Sequence, residues 1–235
     1  MPPDLRIDMK TTEKSSPKKK KVAEEDAAKH LERQLREGIH GGKYVPGQRL
    51  VEIDLITEFG ASQRQVRSAL QRLEVEGLVT IEKNRGAAVR KLTPQDVSCI
   101  FDVLDSLTSL AIRRATESAK EPKIKSILQQ NLNEAKAFAK AAANERRVIK
   151  YSEENIRFWD SIASVVHNPF LWETRSRLQS LIFCYPTQTM TLNSDPYKWI
   201  AYHEEILVAI LDQNLSEALR LMAASSAEIR IAYNL

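Results

Sequence analysis

Gln63, Arg64 and Arg67 lie in the stretch GASQRQVRSAL, with Arg67 three residues after Arg64 and four after Gln63. On an α-helix that spacing gathers them on one face of the first two turns. Val66, Ala69, Leu70 and Leu73 recur at the same period on another face, which is the pattern of a side turned toward a core. Arginine can bind guanine through two acceptors, and glutamine can bind adenine through an acceptor and a donor. Each such pair is worth ~1–3 kcal/mol of discrimination. Ser62 suits the N-cap of this helix, and the free N–H groups of its first turn suit a phosphate. The chemistry expected here is the reading of base edges in the major groove by the start of a recognition helix.

Other elements must hold that helix in place. A helical pattern begins near Ala23 and carries Ala27, Leu31, Leu35 and Ile39 at intervals of four. His40-Gly41-Gly42 ends it, and YVPGQRL reads as a turn around Pro46-Gly47. A short helix follows over Glu52–Phe59, stopped by Gly60, and the recognition helix runs from Ser62 to about Glu76 and stops at Gly77. LVTIEKNRGAAVRKL then alternates, turns at Asn84-Arg85-Gly86 and returns through Ala87–Leu92, a hairpin signal. Its tip can lie against the minor groove and backbone as a wing, with Lys83, Arg85 and Gly86 at the contact. Residues 61–91 hold 7 Lys/Arg against 3 Asp/Glu, so this segment is locally basic.

The rest of the chain is helical almost throughout. Thr93 caps a long helix that starts at Pro94, and further helices are expected over about 122–143, 146–167, 169–185, from Pro196 through Leu211, and from Ser216 onward. YPTQTMTLNSDP reads as a loop. Three domains result: a basic, disordered tail over 1–22, a winged helix-turn-helix over 23–92, and an all-helical antiparallel bundle over 93–235.

Composition agrees. The 235 residues are 43% hydrophobic and include 7 Gly and 9 Pro, which favours long helices over a turn-rich β fold. Residues 1–95 hold 19 Lys/Arg against 14 Asp/Glu, so the excess positive charge lies where DNA contact is expected. Lys18–Lys21 could touch phosphates non-specifically. Cys99 and Cys184 have no metal-ligand spacing and fit a reducing cytoplasm. No apolar run approaches a membrane span, and no nucleophile motif, phosphate loop or convergent acid-base set points to an enzyme.

The run PGQRLVEIDLITEFGASQRQVRSALQRLEVEGLVTIEKNRGAAVRKLT resembles the winged helix of GntR-type bacterial regulators. Pro46-Gly47, Leu55, Gly60, Ser62, Val66, Arg67, Ala69, Leu70, Arg72, Leu73, Gly77, Leu78, Val79, Gly86 and Val89 carry the match. The resemblance implies homodimers on short inverted repeats, with DNA contacts from Ser62, Gln63, Arg64, Gln65, Arg67 and Arg72 and from Lys83, Arg85 and Gly86 of the wing. Gln63 stands where the family usually has Arg, Arg64 where it has Thr, and Gln65 where it has Pro. The docking should therefore be kept while the operator sequence departs from the family's.

NIRFWDSIASVVHNPFL and AYHEEILVAILDQNLSEALRLM are similar to the FadR-type (FCD) effector domain of the same regulators. Many members hold a divalent metal there with one Asp or Asn and three His, and the metal helps hold a small carboxylate. Here Asn155 and His203 keep ligand positions, while Trp159 and Ser225 replace two histidines. Leu104 and Thr108 take the places of an Arg and a Glu. The resemblance thus implies a degenerate site without metal or other cofactor, and a pocket that has lost cationic character. The effector would be larger or less acidic than a simple organic acid, and it would be lined by Leu104, Asn155, Trp159, Tyr202, His203 and Ser225. The implied function is a transcriptional regulator, usually a repressor, released by that effector. The alternative is a ligand-free bundle that serves only to dimerise.

Overall fold

The computed structural model describes residues 17–142, 148–185 and 196–235. Helix α1 spans Pro17–His40 and buries Leu31, Leu35 and Ile39 against α3. It begins before the expected boundary at 22, so Lys18–Lys21 form its first turns. Lysine is a good helix former, and proline suits the first helical position. Residues 1–16 of the expected tail lie outside the described residues.

Helix α2, Glu52–Phe59, ends at Gly60 with φ 60°, a left-handed conformation that glycine adopts without steric cost. Helix α3, Gln63–Glu76, buries Val66, Ala69, Leu70 and Leu73, as their spacing requires. Strands β2 (Val79–Glu82) and β3 (Gly86–Val89) pair antiparallel, with Val79 opposite Val89 and Glu82 opposite Gly86. The segment after Pro46-Gly47 does more than turn. Arg49–Leu50 forms strand β1 on the outer edge of β3, giving the sheet order β1-β3-β2. Two residues are too short for a period-two signal to be legible.

The bundle consists of α4 (Pro94–Ser118), α5 (Pro122–Ala142), α6 (Val148–Val166), α7 (Pro169–Leu181), α8 (Pro196–Leu211) and α9 (Leu215–Ala232). Thr93 and Asp96 form a reciprocal cap at the start of α4. Helix α7 stops at Leu181 instead of running on to 185, and Ile182–Cys184 tighten into a 3-10 turn. The expected loop after Tyr185 lies over 186–195, outside the described residues.

Two hydrophobic cores result, and their border is not the border expected from the chain. Val97, Phe101 and Leu104 of α4, with Ile182, Cys184 and Tyr185, join the core of the winged helix. The second core lies deeper in the bundle, around Ile112, Leu128, Phe158, Ile162, Leu207 and Ile210. The first turns of α4 therefore belong to both halves. Leu92 N–H donates to Cys184 O at 3.0 Å, and the Cys184 thiol donates to Leu78 O at 3.7 Å across the same seam. Among the described residues no helix is long and apolar enough to cross a membrane.

Candidate DNA-reading face and bundle cavity

Helix α3 starts where it does because Ser62 caps it. Ser62 Oγ accepts from Gln65 N–H at 3.3 Å, and Gln65 Oε1 accepts from Ser62 N–H at 2.8 Å. Such a cap stabilises a helix end by about 1 kcal/mol. It also engages the side-chain oxygen of Gln65, so that oxygen holds Ser62 instead of standing free for an expected DNA contact.

Gln63, Arg64, Arg67, Ser68 and Gln71 border a shallow concave patch on the outer face of α3. Glu52, in the first turn of α2, lies beside it. Arg67 Nε donates to Glu52 Oε1 at 2.9 Å, and Gln63 Nε2 donates to Glu52 Oε2 at 3.2 Å. The hydrogen bond from Arg67 is the largest cause holding the Glu52 carboxyl below its usual range. Glu52 did not stand out in the sequence. The available signal was an acid in the helix just before a recognition helix, which is also an ordinary N-terminal charge.

Arg72 departs from the expected set. It is turned toward α1, where Nη2 lies 3.6 Å from Glu25 and Nη1 lies 3.7 Å from Glu32. It sits two turns beyond Arg64 on α3, and the helix carries it around to the packed side. In the wing, Asn84 (φ 65°) and Gly86 (φ 81°) make the tip, a pair of left-handed residues that brings Lys83 and Arg85 to an exposed edge. Arg85 Nη1 pairs with Glu82 at 3.0 Å.

In the bundle, Leu104 and Thr108 of α4, Trp159 of α6, Arg175 of α7, His203 of α8 and Ser225 of α9 border a cavity of about 90 Å³. Of the expected lining residues, Leu104, Trp159, His203 and Ser225 meet there. Tyr202 does not line the cavity. It precedes His203 by one helical step, about 100° around α8, and packs half-buried against the second core. Asn155 lies on α6, with its side chain outside the described residues.

Arg175 corrects the expectation of a pocket without cationic character. It is buried, and its guanidinium lies 4.1 Å from the Trp159 ring centroid. An arginine four residues after buried Leu171 and seven before buried Ile182 sits on the core face of α7, which was the available signal. His203 is 3% exposed and stacks on Phe158, centroid to centroid 4.1 Å with planes 2° apart. Burial first, then the charges of Arg157 and Arg175, push its pKa down to about 3, so the ring is neutral near pH 7.

Among the described residues the donor set does not fit a divalent metal. It offers one imidazole and hydroxyl groups, with a guanidinium facing the same space. Asp105 at the edge is committed, accepting from Ser226 Oγ at 2.8 Å and from Arg230 at 2.9 Å. Among the described residues no three His, Cys, Asp or Glu side chains gather.

The family model described as "Bacterial regulatory proteins, gntR family" matches residues 27–89, and the FCD domain model matches residues 99–226, more than half of the chain. An uncharacterized HTH-type transcriptional regulator of Bacillus subtilis, YdhC, is 28% identical over 152 residues, which cover 64% of this chain and 66% of that protein. The galactonate operon transcriptional repressor of Escherichia coli is 26% identical over 160 residues, covering 60% of this chain and 67% of that protein. Among the first relatives the match spans about half to two thirds of their length. The solved structure of E. coli McbR/YncC superposes with a TM-score of 0.69 at 19% identity, over 88% of this chain and 97% of that one, which speaks for the fold.

Proposed function

Because the chain belongs to the gntR family of bacterial regulatory proteins and carries an FCD domain, we infer that it is a cytoplasmic transcriptional regulator. In this reading it binds a double-stranded operator as a homodimer and leaves it when a small molecule occupies the bundle. The observation that carries it is the exposed face of α3, where Gln63, Arg64 and Arg67 stand together at the helix start beside a basic wing. A surface for dimerisation is available on α4, where Val103 and Leu110, two turns apart, are 47% and 39% exposed.

The effector we propose is a small molecule held without metal, with one acidic or strongly accepting group toward Arg175 and an apolar body against Trp159 and Leu104. Its arrival would change the placement of the two winged helices and weaken DNA binding by a coupling of ~1–3 kcal/mol. A repressor is the favoured sign.

Selection of duplexes from a random pool by the full chain tests this reading. The expected product is an inverted repeat with half-sites about one helical turn apart. Recovery of duplexes with no shared sequence would overturn it. A second reading, in which the bundle only dimerises, draws on the small cavity and the stacked, neutral His203. A thermal-shift screen separates the two: a ligand that both raises the melting temperature and releases the operator supports the first.

A further inference from the structure

The last turn of α3 is poorly suited to end a helix on its own. It holds Glu74 and Glu76 and no basic residue, so two acids stand where the helix dipole is negative. Its backbone closes only in part. Gly77 N–H donates to Glu74 O and Leu78 N–H to Leu73 O, each at 2.9 Å. These bonds serve the carbonyls of Leu73 and Glu74 and leave that of Val75 to a partner outside the turn.

Cations from other elements gather at this end. Arg36 of α1 donates to Glu76 at 3.0 Å. Arg90, just after β3, lies beside Gly77, where a Cβ would be 4.0 Å from its Nε and Nη2. Arg177 of α7 donates through Nη2 to the Val75 carbonyl at 2.8 Å, across 102 positions of sequence. Arg177 thus brings the bundle to the end of the recognition helix. Two features of α7 hold it there. Arg175 and Gln179, each two helical steps from Arg177 and so on the opposite side, border the bundle cavity. Leu181, one turn on from Arg177, lies so close to Gly77 that a Cβ there would meet its Cδ2 at 3.0 Å. The Val75 side chain itself is 73% exposed, so little packing on that face of α3 stands in for the bond.

We propose that Arg177 is a positioning residue for DNA reading, supplied by the bundle. It caps the recognition helix at its C-terminal end and so fixes the direction in which Gln63, Arg64 and Arg67 leave the other end. Base-edge hydrogen bonds weaken steeply with angle, whereas contacts to phosphate carry position without sequence. Loss of the cap is therefore felt as lost discrimination before lost affinity, a consequence that rests on the DNA-binding reading above.

Two variants of the full chain test this. Arg177→Met keeps the unbranched stem and removes the donor and the charge, while Arg177→Lys keeps a donor and the charge. In the free protein, hydrogen exchange at the amides of residues 77–79 should quicken about three- to tenfold in Arg177→Met, with the start of α3 unchanged. Arg177→Lys should return the rate to near that of the parent. By fluorescence anisotropy on the selected operator and a scrambled duplex, Arg177→Met should lower the affinity ratio of the two about three- to tenfold, and Arg177→Lys should restore it. The melting temperature should stay close to that of the parent, since the side chain is exposed. Equal exchange in the parent and Arg177→Met overturns the cap, whatever the DNA result. Equal losses on both duplexes mean that only the charge of Arg177 is felt, and overturn its positioning role. If the parent shows no operator preference, the DNA-binding reading fails, and the exchange rates alone still decide the cap.

Discussion

Arg67 donates through Nε to both carboxylate oxygens of Glu52, at 2.9 and 3.0 Å, and Gln63 shares the same carboxylate. A carboxylate at a DNA-reading face repels phosphate, so its presence needs a return. Here it fixes the direction of two long side chains before they meet a base. Ordering such chains in advance lowers the entropy lost on binding. Glu52→Gln should therefore loosen Arg67, raise affinity for random duplex and lower discrimination. Arg67→Ala should weaken binding to the operator by ~1–3 kcal/mol more than binding to a scrambled duplex. Fluorescence anisotropy on the selected operator and a scrambled duplex, at one salt concentration, measures both. An unchanged operator-to-scrambled ratio in Glu52→Gln would sink the restraint.

Gln63 and Arg64 exchange the usual residues of the family at the start of α3. Both are exposed and border the same patch as Arg67. Gln63→Arg should shift base preference at one position of each half-site from adenine toward guanine, with ~1–3 kcal/mol between the two. Repeating the duplex selection with the variant reads this directly, and an identical consensus would count against Gln63 as a base reader.

The winged helix was legible because its signals are local. Ser62, Gly60 and Gly77 punctuate α3, and Val66, Ala69, Leu70 and Leu73 mark its buried side within fourteen residues. The bundle's helices were legible for the same reason. What escaped was placement across the chain. Arg72 looked like one more cation beside Arg67, yet Glu25 and Glu32 of α1 take it up. Arg175 was not singled out on its helix of mixed composition, yet α7 turns it onto Trp159. A cleft of about 440 Å³ beside it exists only because α1, α3, α6 and α7 meet, and no stretch of sequence encodes a gap between elements. Of the expected effector residues, Leu104, Trp159, His203 and Ser225 border one cavity, the side chain of Asn155 lies outside the described residues, and Tyr202, one helical step from His203, is turned away from the cavity.

Gly77 ties the reading helix to the bundle. It ends α3 at φ 87°, and a Cβ there would meet Leu181 Cδ2 of α7 at 3.0 Å. An alanine would carry both the left-handed backbone and the crowding. Gly77→Ala should lower stability by ~1–2 kcal/mol and drop the melting temperature by several degrees. Gly42, at φ 74° with open space around it, is the control for backbone strain alone. If Gly42→Ala costs as much as Gly77→Ala, contact with α7 adds nothing.

His203 gives the bundle an acid limit. Its folded pKa is pushed down to about 3, below the unfolded value near 6.5. The unfolded chain therefore binds the proton first, and stability falls as pH drops from about 6.5 toward 3. Near pH 5 this one group should have withdrawn about 2 kcal/mol. His40, pushed down to about 4, acts in the same direction over a narrower window. Urea unfolding at a series of pH values measures the slope. His203→Gln removes the titrating ring, so its stability should fall less steeply between pH 7 and 5 than that of the parent, even if its absolute stability is lower. Parallel curves for the two proteins would show that the stacked imidazole is already solvated, and would return His203 to the set of groups an effector can protonate or displace.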